Sequence, residues 1–489
     1  MTIMPQWLKK RAAMTPDREA VVLSDDTRYT FKELNEHAGQ YAYQLKQQGI
    51  NEGDHVAVLS KNSYEMFVMI HALQKIGAVM FLLNTRLSVN EFLFQLKDGE
   101  VTHLLFQEGF RSVVDELTVE VNLHSVSFEQ FSFEGKVDEG IAEFDLDHIT
   151  TVLYTSGTTG LPKGVQLTYG NHWWNANGSV LNLGLNADDR WLLCVPLFHV
   201  SGLSILFRSV IYGIPAHLHE RFDVESVHED IMNHGVTTMS AVSVMLEELV
   251  ERLGNESYPE SFRCMLLGGG PASKSLLESS KEKSIPVFQT YGMTETASQF
   301  CTLDEENALR KLGSAGKPLF PGQLKIMNDA EECHVGEVGE ILMKGPSVTK
   351  GYWNRPDANK ETIHDGWLKT GDLGYLDEEG FLYVVDRRKD LIISGGENVY
   401  PAEIESVLKS HPSVKDAGVV GKKHERWGQV PVAFVVIREE ETFSAETLKD
   451  HCEKNLAKYK VPKEFYEIDE LPRNASRKLM RNRLVEHIN

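Results

Sequence analysis

The feature that most constrains the fold is a strand–helix–strand pattern between His55 and Asn84. An apolar run, HVAVL, precedes an amphipathic segment, EMFVMIHALQKIG, and a second apolar run, AVMFLL. Two short apolar runs around a segment of helical period predict a βαβ unit and therefore a parallel sheet. Similar runs recur near 151, 191, 237, 263 and 286, each before a glycine- or serine-rich turn. We predict an α/β protein whose sites lie at strand ends.

The pattern changes after about Lys311, where short apolar runs alternate with frequent glycines. This change predicts an antiparallel or barrel-like subdomain. From about Lys389 we predict a hairpin, a helix that begins at Pro401, two strands and a helix near 444–457. The expected architecture is a large N-terminal domain of stacked α/β sheets with the barrel-like subdomain, residues 1–387, and a smaller, mobile α+β domain, residues 388–489.

The charge balance limits the partners of the chain. The 489 residues include 71 acidic and 50 basic side chains, a net charge of −21. The overall field repels polyanions, which disfavours nucleic acid as a partner. Anionic small molecules would be held by local backbone N–H groups, lysines and arginines. The sequence leaves the oligomeric state open, with a homo-oligomer as one alternative.

The N-terminus and the cysteines indicate an ordinary reduced compartment. The first residues lack the apolar core of a signal peptide, and the chain has no uninterrupted apolar run of about 18 residues. We expect a cytoplasmic protein without membrane insertion. The cysteines show no CxxC pair and no metal-ligand spacing with histidines, so buried thiols are expected. They are Cys194, Cys264, Cys301, Cys333 and Cys452.

The segment from Tyr154 to Gly164, YTSGTTGLPKG, has the composition of a phosphate-binding loop. Its glycines let backbone N–H groups approach an anion, its hydroxyls can donate to phosphate oxygens, and Lys163 adds a charge. The segment is not a Walker A loop, because the required glycine before the lysine is Pro162. A flexible polar turn is the alternative, since such composition is common in connections.

Five segments, in order along the chain, carry a resemblance to a known family. They are YTSGTTGLPKGV at 154–165, YGMTE at 291–295, TGD at 370–372, DRRKDLIISGGENVYP at 386–401 and PRNASRK at 472–478. Together they resemble the adenylate-forming superfamily of acyl-CoA ligases, luciferases and peptide-synthetase adenylation domains. Three segments resemble its branch that activates o-succinylbenzoate for menaquinone biosynthesis: PLFHVSGLSILFRSVIYG at 196–213, LLGGGP at 266–271 and YGMTETASQ at 291–299. The resemblance implies an acid–CoA ligase that uses ATP, Mg²⁺ and coenzyme A.

The resemblance also implies a nucleotide and metal site. Tyr291 would lie against adenine, Asp372 would accept hydrogen bonds from the ribose, and Glu295 would bind Mg²⁺ with Thr155, since a hard cation prefers oxygen ligands. The alternatives are a surface carboxylate near a helix start for Glu295 and a turn-forming role for Asp372. The implied nucleotide-binding set is Thr155, Ser156, Gly157, Thr158, Thr159, Lys163, Gly269, Tyr291, Gly292, Thr294, Asp372 and Arg387.

Two further roles fall on the predicted C-terminal domain. Lys478 would relieve the repulsion between a carboxylate and the α-phosphate during adenylation. Arg477 stands where the family usually has glycine, and a solvated basic tail is the alternative for this segment. Rotation about Lys389, the predicted hinge, would then replace Lys478 by the face that carries Ser394, Gly395 and Gly396, where coenzyme A would bind.

The resemblance implies an acyl pocket in which Arg208 is the most informative residue. It interrupts an apolar run, and a buried arginine requires an anionic partner such as a second substrate carboxylate. An arginine whose head reaches water is the alternative. His199 would take part in catalysis together with Lys478 and Glu295. The alternative for His199 is a packed structural histidine. The implied pocket residues are His199, Ser201, Gly202, Arg208, Ser240, Gly268, Gly270 and Gln299.

Other functions remain open at this point. A medium-chain or aryl acid–CoA ligase would share the same motifs and differ in the acyl pocket. A catalytically inactive nucleotide-binding protein would bind ATP without exchanging pyrophosphate. A peptide-synthetase module is disfavoured, because few residues follow Lys478 in this chain.

Overall fold

The computed structural model describes residues 2–155, 162–269, 272, 274–328, 331–386, 391–438, 441–472, 479 and 481–488. It confirms the predicted fold class, a mixed α/β structure with a large N-terminal and a smaller C-terminal domain. In this part of the chain, no helix combines the length and apolarity needed to cross a bilayer.

The predicted βαβ unit is confirmed. Strands His55–Leu59 and Val79–Leu82 pair in parallel, with helix Tyr64–Ile76 between them in the chain. Ser63 caps the start of this helix, and Gly77, at a φ of 83°, ends it in the left-handed conformation that glycine adopts without strain. The unit belongs to a seven-stranded sheet in the order Gly351–Tyr352, Lys163–Thr168, Ile149–Thr155, Val79–Leu82, His55–Leu59, His103–Phe106 and His124–Ser127.

A second, nine-stranded sheet contains the apolar runs near 191, 237, 263 and 286, whereas the run near 151 lies in the first sheet. Six of its strands form a parallel block, and antiparallel pairing adds one strand on one side of the block and two on the other. In spatial order the strands are Lys317–Pro318, Ser298–Leu303, Val287–Met293, Cys264–Gly268, Thr238–Val242, Trp191–Leu193, Ala216–Leu218, Glu19–Leu23 and Arg28–Thr30.

Helix Tyr64–Ile76 joins the two sheets into one core. Almost all of its residues are buried, and they share a cluster with Val56 of the first sheet and Ala216 of the second. The polar side chains of His71, Gln74 and Lys75 are buried together with its apolar ones, so neighbouring elements cover this helix on nearly every side. The remaining helices of the large domain are Trp7–Met14, Phe31–Gln47, Val89–Asp98, Arg111–Glu120, Tyr169–Leu183, Val200–Tyr212, Val224–Asn233, Ser243–Leu253, Lys274–Glu282, Glu305–Ala308 and Pro356–Thr362.

The glycine-rich region after Lys311 forms an antiparallel sheet, as that part of the sequence predicts. Its strands are Glu331–Glu332, Gln323–Asn328, Gly339–Lys344, Trp367–Leu376 and Ile363–His364, with Leu382–Asp386 also paired to Trp367–Leu376. A short ladder joins Ile3–Pro5 to Glu143–Asp145.

The C-terminal region has a separate hydrophobic core. Its hairpin, Ile392–Ser394 with Glu397–Val399, and a helix that begins at Pro401 match the predictions. The other strands are Val414–His424, Gly428–Ile437 and Glu464–Glu467, and the helices are Pro401–Ser410, Ala445–Asn455 and Arg481–Val485. The predicted hinge, Lys389, lies outside the described residues. The domain boundary between residues 387 and 388 therefore remains a prediction.

Candidate active site

The predicted phosphate loop lies between two antiparallel strands. Ile149–Thr155 and Lys163–Thr168 pair so that Thr155 is opposite Lys163. The Nζ of Lys163 lies 5.2 Å from the centre of the Tyr352 ring, a cation–π distance. Thr155 and Lys163, which flank the loop, therefore lie side by side at the same end of these two strands. The loop residues Ser156, Gly157, Thr158 and Thr159 lie outside the described part of the chain.

The same tyrosine connects the loop to the predicted metal ligand. The Tyr352 hydroxyl donates to Glu295 Oε1 at 2.9 Å. Glu295 is 8% exposed, which argues against the alternative of a surface carboxylate. The turn Thr294–Thr296 that carries it leads into Ala297 and Ser298, at φ values of 56° and 113°. Positive φ at two consecutive non-glycine residues is strained, and such strain is concentrated at functional sites.

Asp372 and Tyr291 are brought into contact across two sheets. The Tyr291 hydroxyl donates to Asp372 Oδ2 at 2.6 Å, and both side chains are buried. Asp372 lies within strand Trp367–Leu376, so it does not form the turn that the alternative interpretation requires. The contact joins the predicted adenine and ribose positions. The Tyr291 hydroxyl is therefore hydrogen-bonded to the same carboxylate that would bind the ribose.

Glycines around Tyr291 and Ser240 allow close backbone approach. A Cβ on Gly292 would lie 2.0 Å from the Ser298 carbonyl oxygen, so no other residue fits there without movement. Gly269 has a φ of 87° and follows the strand that ends at Gly268. Gly268 is opposite Val242 in the neighbouring strand. The predicted residues Gly268, Gly269 and Ser240 therefore lie at adjacent strand ends.

Arg208 is the most deeply buried charge on the acyl side. It lies in helix Val200–Tyr212 and is 1% exposed, so its head does not reach water. One Nη2 bond goes to Asn175 Oδ1 at 2.8 Å, and a longer one goes to Gln299 Oε1 at 3.5 Å. Burial lowers the pKa of the guanidinium. Among the described residues no carboxylate contacts it, and its Nε has no hydrogen-bond partner.

Two residues that surround Arg208 were missed by the sequence analysis. The Arg208 guanidinium lies 5.2 Å from the ring of Trp191, and the Trp191 indole donates to Ser240 Oγ at 3.3 Å. Asn175 also donates to the backbone oxygens of Thr296 and Gln299. It thus links the acyl side to the turn that carries Glu295. Asn175 is one of four asparagines in helix Tyr169–Leu183, so the sequence offered no signal that singled it out.

His199 lies where the large domain faces the C-terminal region. It precedes helix Val200–Tyr212, and its side chain is 40% exposed, so it is not a packed core histidine. Ser201 and Gly202 form the first turn of that helix. A Cβ on Gly202 would lie 2.2 Å from the Pro196 carbonyl oxygen, which explains the glycine.

A carboxylate of the C-terminal region contacts His199. Glu397 Oε2 lies 3.3 Å from His199 Nε2, and Glu397 Oε1 accepts a bond from Arg86 at 3.0 Å. Burial alone would raise the pKa of Glu397, but the charges of His199 and Arg86 lower it to about 2. Glu397 is therefore ionised at neutral pH. The sequence analysis missed its partner Arg86.

The adjacent hairpin turn faces the acyl side. Gly395 and Gly396 have φ values of 58° and 84°, and a Cβ on Gly396 would lie 3.6 Å from the Val242 side chain. The buried Ser394 precedes them on the hairpin. The predicted coenzyme A face thus lies beside strand Thr238–Val242, which carries Ser240. The predicted roles of Gly270, Arg387, Lys389 and Lys478 fall on residues outside the described part of the chain.

Comparison with known proteins extends these observations. Residues 8–353 match the family model of the AMP-binding enzyme, and residues 403–478 match that of the AMP-binding enzyme C-terminal domain. The 2-succinylbenzoate–CoA ligase of Bacillus anthracis (strain A0248) is 54% identical over 485 residues, which cover 99% of this chain and 98% of that protein.

Two solved structures of o-succinylbenzoate coenzyme A synthetase from Bacillus subtilis match the whole fold. A double mutant bound with the product analogue OSB-NCoA has a TM-score of 0.94 at 50% identity and covers 99% of both chains. The complex with ATP and magnesium ion has a TM-score of 0.76 at 50% identity, covering 99% of this chain and 100% of the other.

Proposed function

The chain belongs to the family of AMP-binding enzymes, and we propose that it is an ATP-dependent acid–CoA ligase with o-succinylbenzoate as its acid. In the first step a carboxylate oxygen attacks the α-phosphorus of ATP, and pyrophosphate leaves. In the second step the thiol sulfur of coenzyme A attacks the acyl carbon, and AMP leaves. The product is o-succinylbenzoyl-CoA, an intermediate of menaquinone biosynthesis under this proposal.

The observation that carries the choice of acid is the burial of Arg208 without a carboxylate among the described residues. An ionised group without a compensating partner is costly to bury. A fatty acid supplies only the carboxylate that reacts, whereas o-succinylbenzoate has a second one. That second carboxylate would be the missing partner of Arg208, with Ser240 and Gln299 as further donors nearby.

For adenylation, the proposal uses the cluster of Lys163, Tyr352 and Glu295 at the end of the first sheet. Lys163 and the loop that precedes it would hold the β- and γ-phosphates. Glu295 and Thr155 fit Mg²⁺, because a buried carboxylate and a hydroxyl complement an ion whose other ligands are phosphate and water oxygens. The ion would neutralise phosphate charge. Asp372 would hold the ribose.

Two C-terminal elements would act in turn at this site. Lys478 would sit between the attacking carboxylate and the α-phosphate during adenylation and leave after it. The hairpin of Gly395 and Gly396 would then admit the pantetheine arm, since neither residue has a side chain to block it. His199, held by Glu397, lies at the junction of the acyl side and this hairpin. Rotation between residues 1–387 and 388–489 would exchange the two elements.

The cofactors and the location follow from the same proposal. The co-substrates are ATP and coenzyme A, and Mg²⁺ is the metal cofactor. A cytoplasmic location is consistent with this chemistry. The absence of a nucleic-acid partner stays a prediction from the sequence, and the sequence leaves the oligomeric state open.

The test is ATP–pyrophosphate exchange by the purified chain against o-succinylbenzoate, octanoate and benzoate, followed by thioester detection with coenzyme A. Strong exchange with o-succinylbenzoate alone supports the proposal. Equal or stronger exchange with octanoate or benzoate identifies a medium-chain or aryl acid–CoA ligase instead. ATP binding without exchange for any acid would indicate a nucleotide-binding protein without ligase activity.

A further inference from the structure

A buried lysine joins the two domains away from the substrate site. Lys460 is 3% exposed, and its Nζ donates to Glu403 Oε1 at 2.8 Å and to Glu91 Oε1 at 2.6 Å. Glu403 lies on helix Pro401–Ser410 of the C-terminal region, whereas Glu91 lies on helix Val89–Asp98 of the large domain. These three residues are called the docking triad.

The electrostatics of the docking triad depend on the relative position of the domains. Burial opposes the charged form of Lys460, but the carboxylates around it raise its pKa. Burial raises the pKa of Glu403, and the negative charge of Glu91 adds to this effect. Buried ions are tolerated only with well-placed partners. Lys460 and Glu403 both belong to the C-terminal region, so their ion pair persists in any domain orientation. Lys460 contacts Glu91 only in the orientation described here.

The segment that carries Glu91 makes further contacts with the C-terminal region, besides the bond from Arg86 to Glu397. The Asn90 side chain donates to the Lys454 carbonyl oxygen at 3.1 Å and to Asn455 Oδ1 at 2.9 Å. The Arg86 guanidinium lies 4.8 Å from the centre of the Tyr459 ring. The stretch from 86 to 91 is therefore a docking platform. Its contacts come from separate elements of the C-terminal region, which together define one orientation.

The orientation that forms the triad can be compared with the two solved complexes. The chain matches the complex with the CoA-linked product analogue at a TM-score of 0.94 and the complex with ATP and magnesium at 0.76, although both are 50% identical to it. The backbone arrangement described here is thus that of the complex with the CoA-linked group.

We infer that the docking triad holds the C-terminal domain in position for thioester formation and that Glu91 is a positioning residue for this step alone. That this step is thioester formation rests on the proposed function. Glu91 touches no substrate in this assignment. It would act through Lys460, by favouring one domain orientation over the other.

The chain offers a matched pair of variants for the test. Glu91 Oε2 also accepts bonds from the Ser88 backbone and hydroxyl, both at 2.8 Å, which caps its helix. Glutamine can take over such a capping role, so Glu91→Gln removes the charge in the triad and keeps the helix start. Glu33 caps helix Phe31–Gln47 through the same two bonds with Thr30, both at 2.8 Å. Glu33→Gln is the control, because Glu33 lies outside the docking platform.

Two rates are measured by rapid quench in each variant: pyrophosphate release without coenzyme A, and thioester formation from accumulated acyl-adenylate at saturating coenzyme A. Glu91→Gln should slow thioester formation by about tenfold to a hundredfold, less than the loss of a whole buried ion pair, because Lys460 keeps its bond to Glu403. Adenylation should stay within about twofold, and Glu33→Gln should change neither rate. In a Lys460→Met background, Glu91→Gln should add less than about twofold, because the partner of Glu91 is already absent.

A second readout is independent of activity. Asn90→Cys and Asn455→Cys, in a Cys333→Ser background, place two thiols across the docking platform; the other four cysteines are buried. Diamide-driven cross-linking of this pair reports the docked orientation. Adding Glu91→Gln should slow the cross-linking by about tenfold, and adding Glu33→Gln should leave it unchanged.

An unchanged thioester rate in Glu91→Gln, an equal loss in both half-reactions, or a cross-linking rate unaffected by this substitution would overturn the inference. If the unmodified chain forms no thioester with o-succinylbenzoate, the proposed function fails. Cross-linking then decides the docking role by itself: slower cross-linking in Glu91→Gln supports it, and equal rates reject it.

Discussion

Replacing Arg208 by leucine tests the choice of acid most directly. Arg208 is buried, and its described hydrogen bonds leave from Nη2, to Asn175 and Gln299. Its Nε has no partner among the described residues. A guanidinium has five N–H donors in a planar fork that matches a carboxylate. The proposal is that the distal carboxylate of o-succinylbenzoate takes up this spare capacity.

The expected size of the effect follows from these contacts. Hydrogen bonds to charged groups contribute about 1.5–3 kcal/mol each, and a carboxylate facing the fork would gain two. Water that enters the space left by leucine restores part of this loss. The net cost should be about 2–4 kcal/mol, a fall of about 30- to 1,000-fold in kcat/KM, expressed mainly through KM. Folding should change less, by about 1–3 kcal/mol, because the chief loss is the partner of Asn175.

The assay compares kcat/KM for o-succinylbenzoate and for a monocarboxylate such as benzoate, in the unmodified chain, Arg208→Leu and Arg208→Lys. The monocarboxylate should change by less than about threefold, since it has no distal carboxylate to lose its partner. Lysine should restore part of the loss, because it keeps the charge but not the fork. An unchanged KM for o-succinylbenzoate, or equal losses for both acids, would refute the reasoning.

Three further predictions concern the two steps. Lys478→Ala should slow acyl-adenylate formation by about 10²–10³-fold but spare thioester formation from a supplied adenylate; equal loss in both half-reactions would contradict the assigned role. Lys389→Pro should leave adenylation near normal and slow thioester formation, since proline fixes φ and restricts the preceding Arg388; if pyrophosphate release and thioester appearance fall together, or neither falls, the hinge lies elsewhere. Because its docked pKa is lowered from 4.5 to about 2, Glu397 should favour docking above about pH 4.5, and this contribution should disappear as the pH falls towards 2. Small-angle X-ray scattering, which reports the domain orientation without thiolate chemistry, measures it, and a Glu397→Gln variant with the same acid profile would exclude Glu397 as the cause.

Local features of the sequence were sufficient to predict several elements of the fold, whereas most of the site residues were implied by the resemblance to a known family. The alternation at His55–Asn84 specified a βαβ unit, since strand and helix periods differ and a parallel pair needs a crossover. Pro401 marked the start of a helix, because proline fits only its first turn. Arg208 was conspicuous because an apolar run surrounded it. Each inference depends on residues within a few turns of one another.

Contacts between distant parts of the chain were decided by the tertiary structure alone. Tyr352 on Glu295, Asn175 on Arg208, and Glu397 between Arg86 and His199 are pairs separated by tens to hundreds of residues. No periodicity or cap relates such residues in the sequence. Their partners are set by how sheets stack and where the C-terminal domain docks, and a single polar side chain gives no sign of which distant group it will meet once buried.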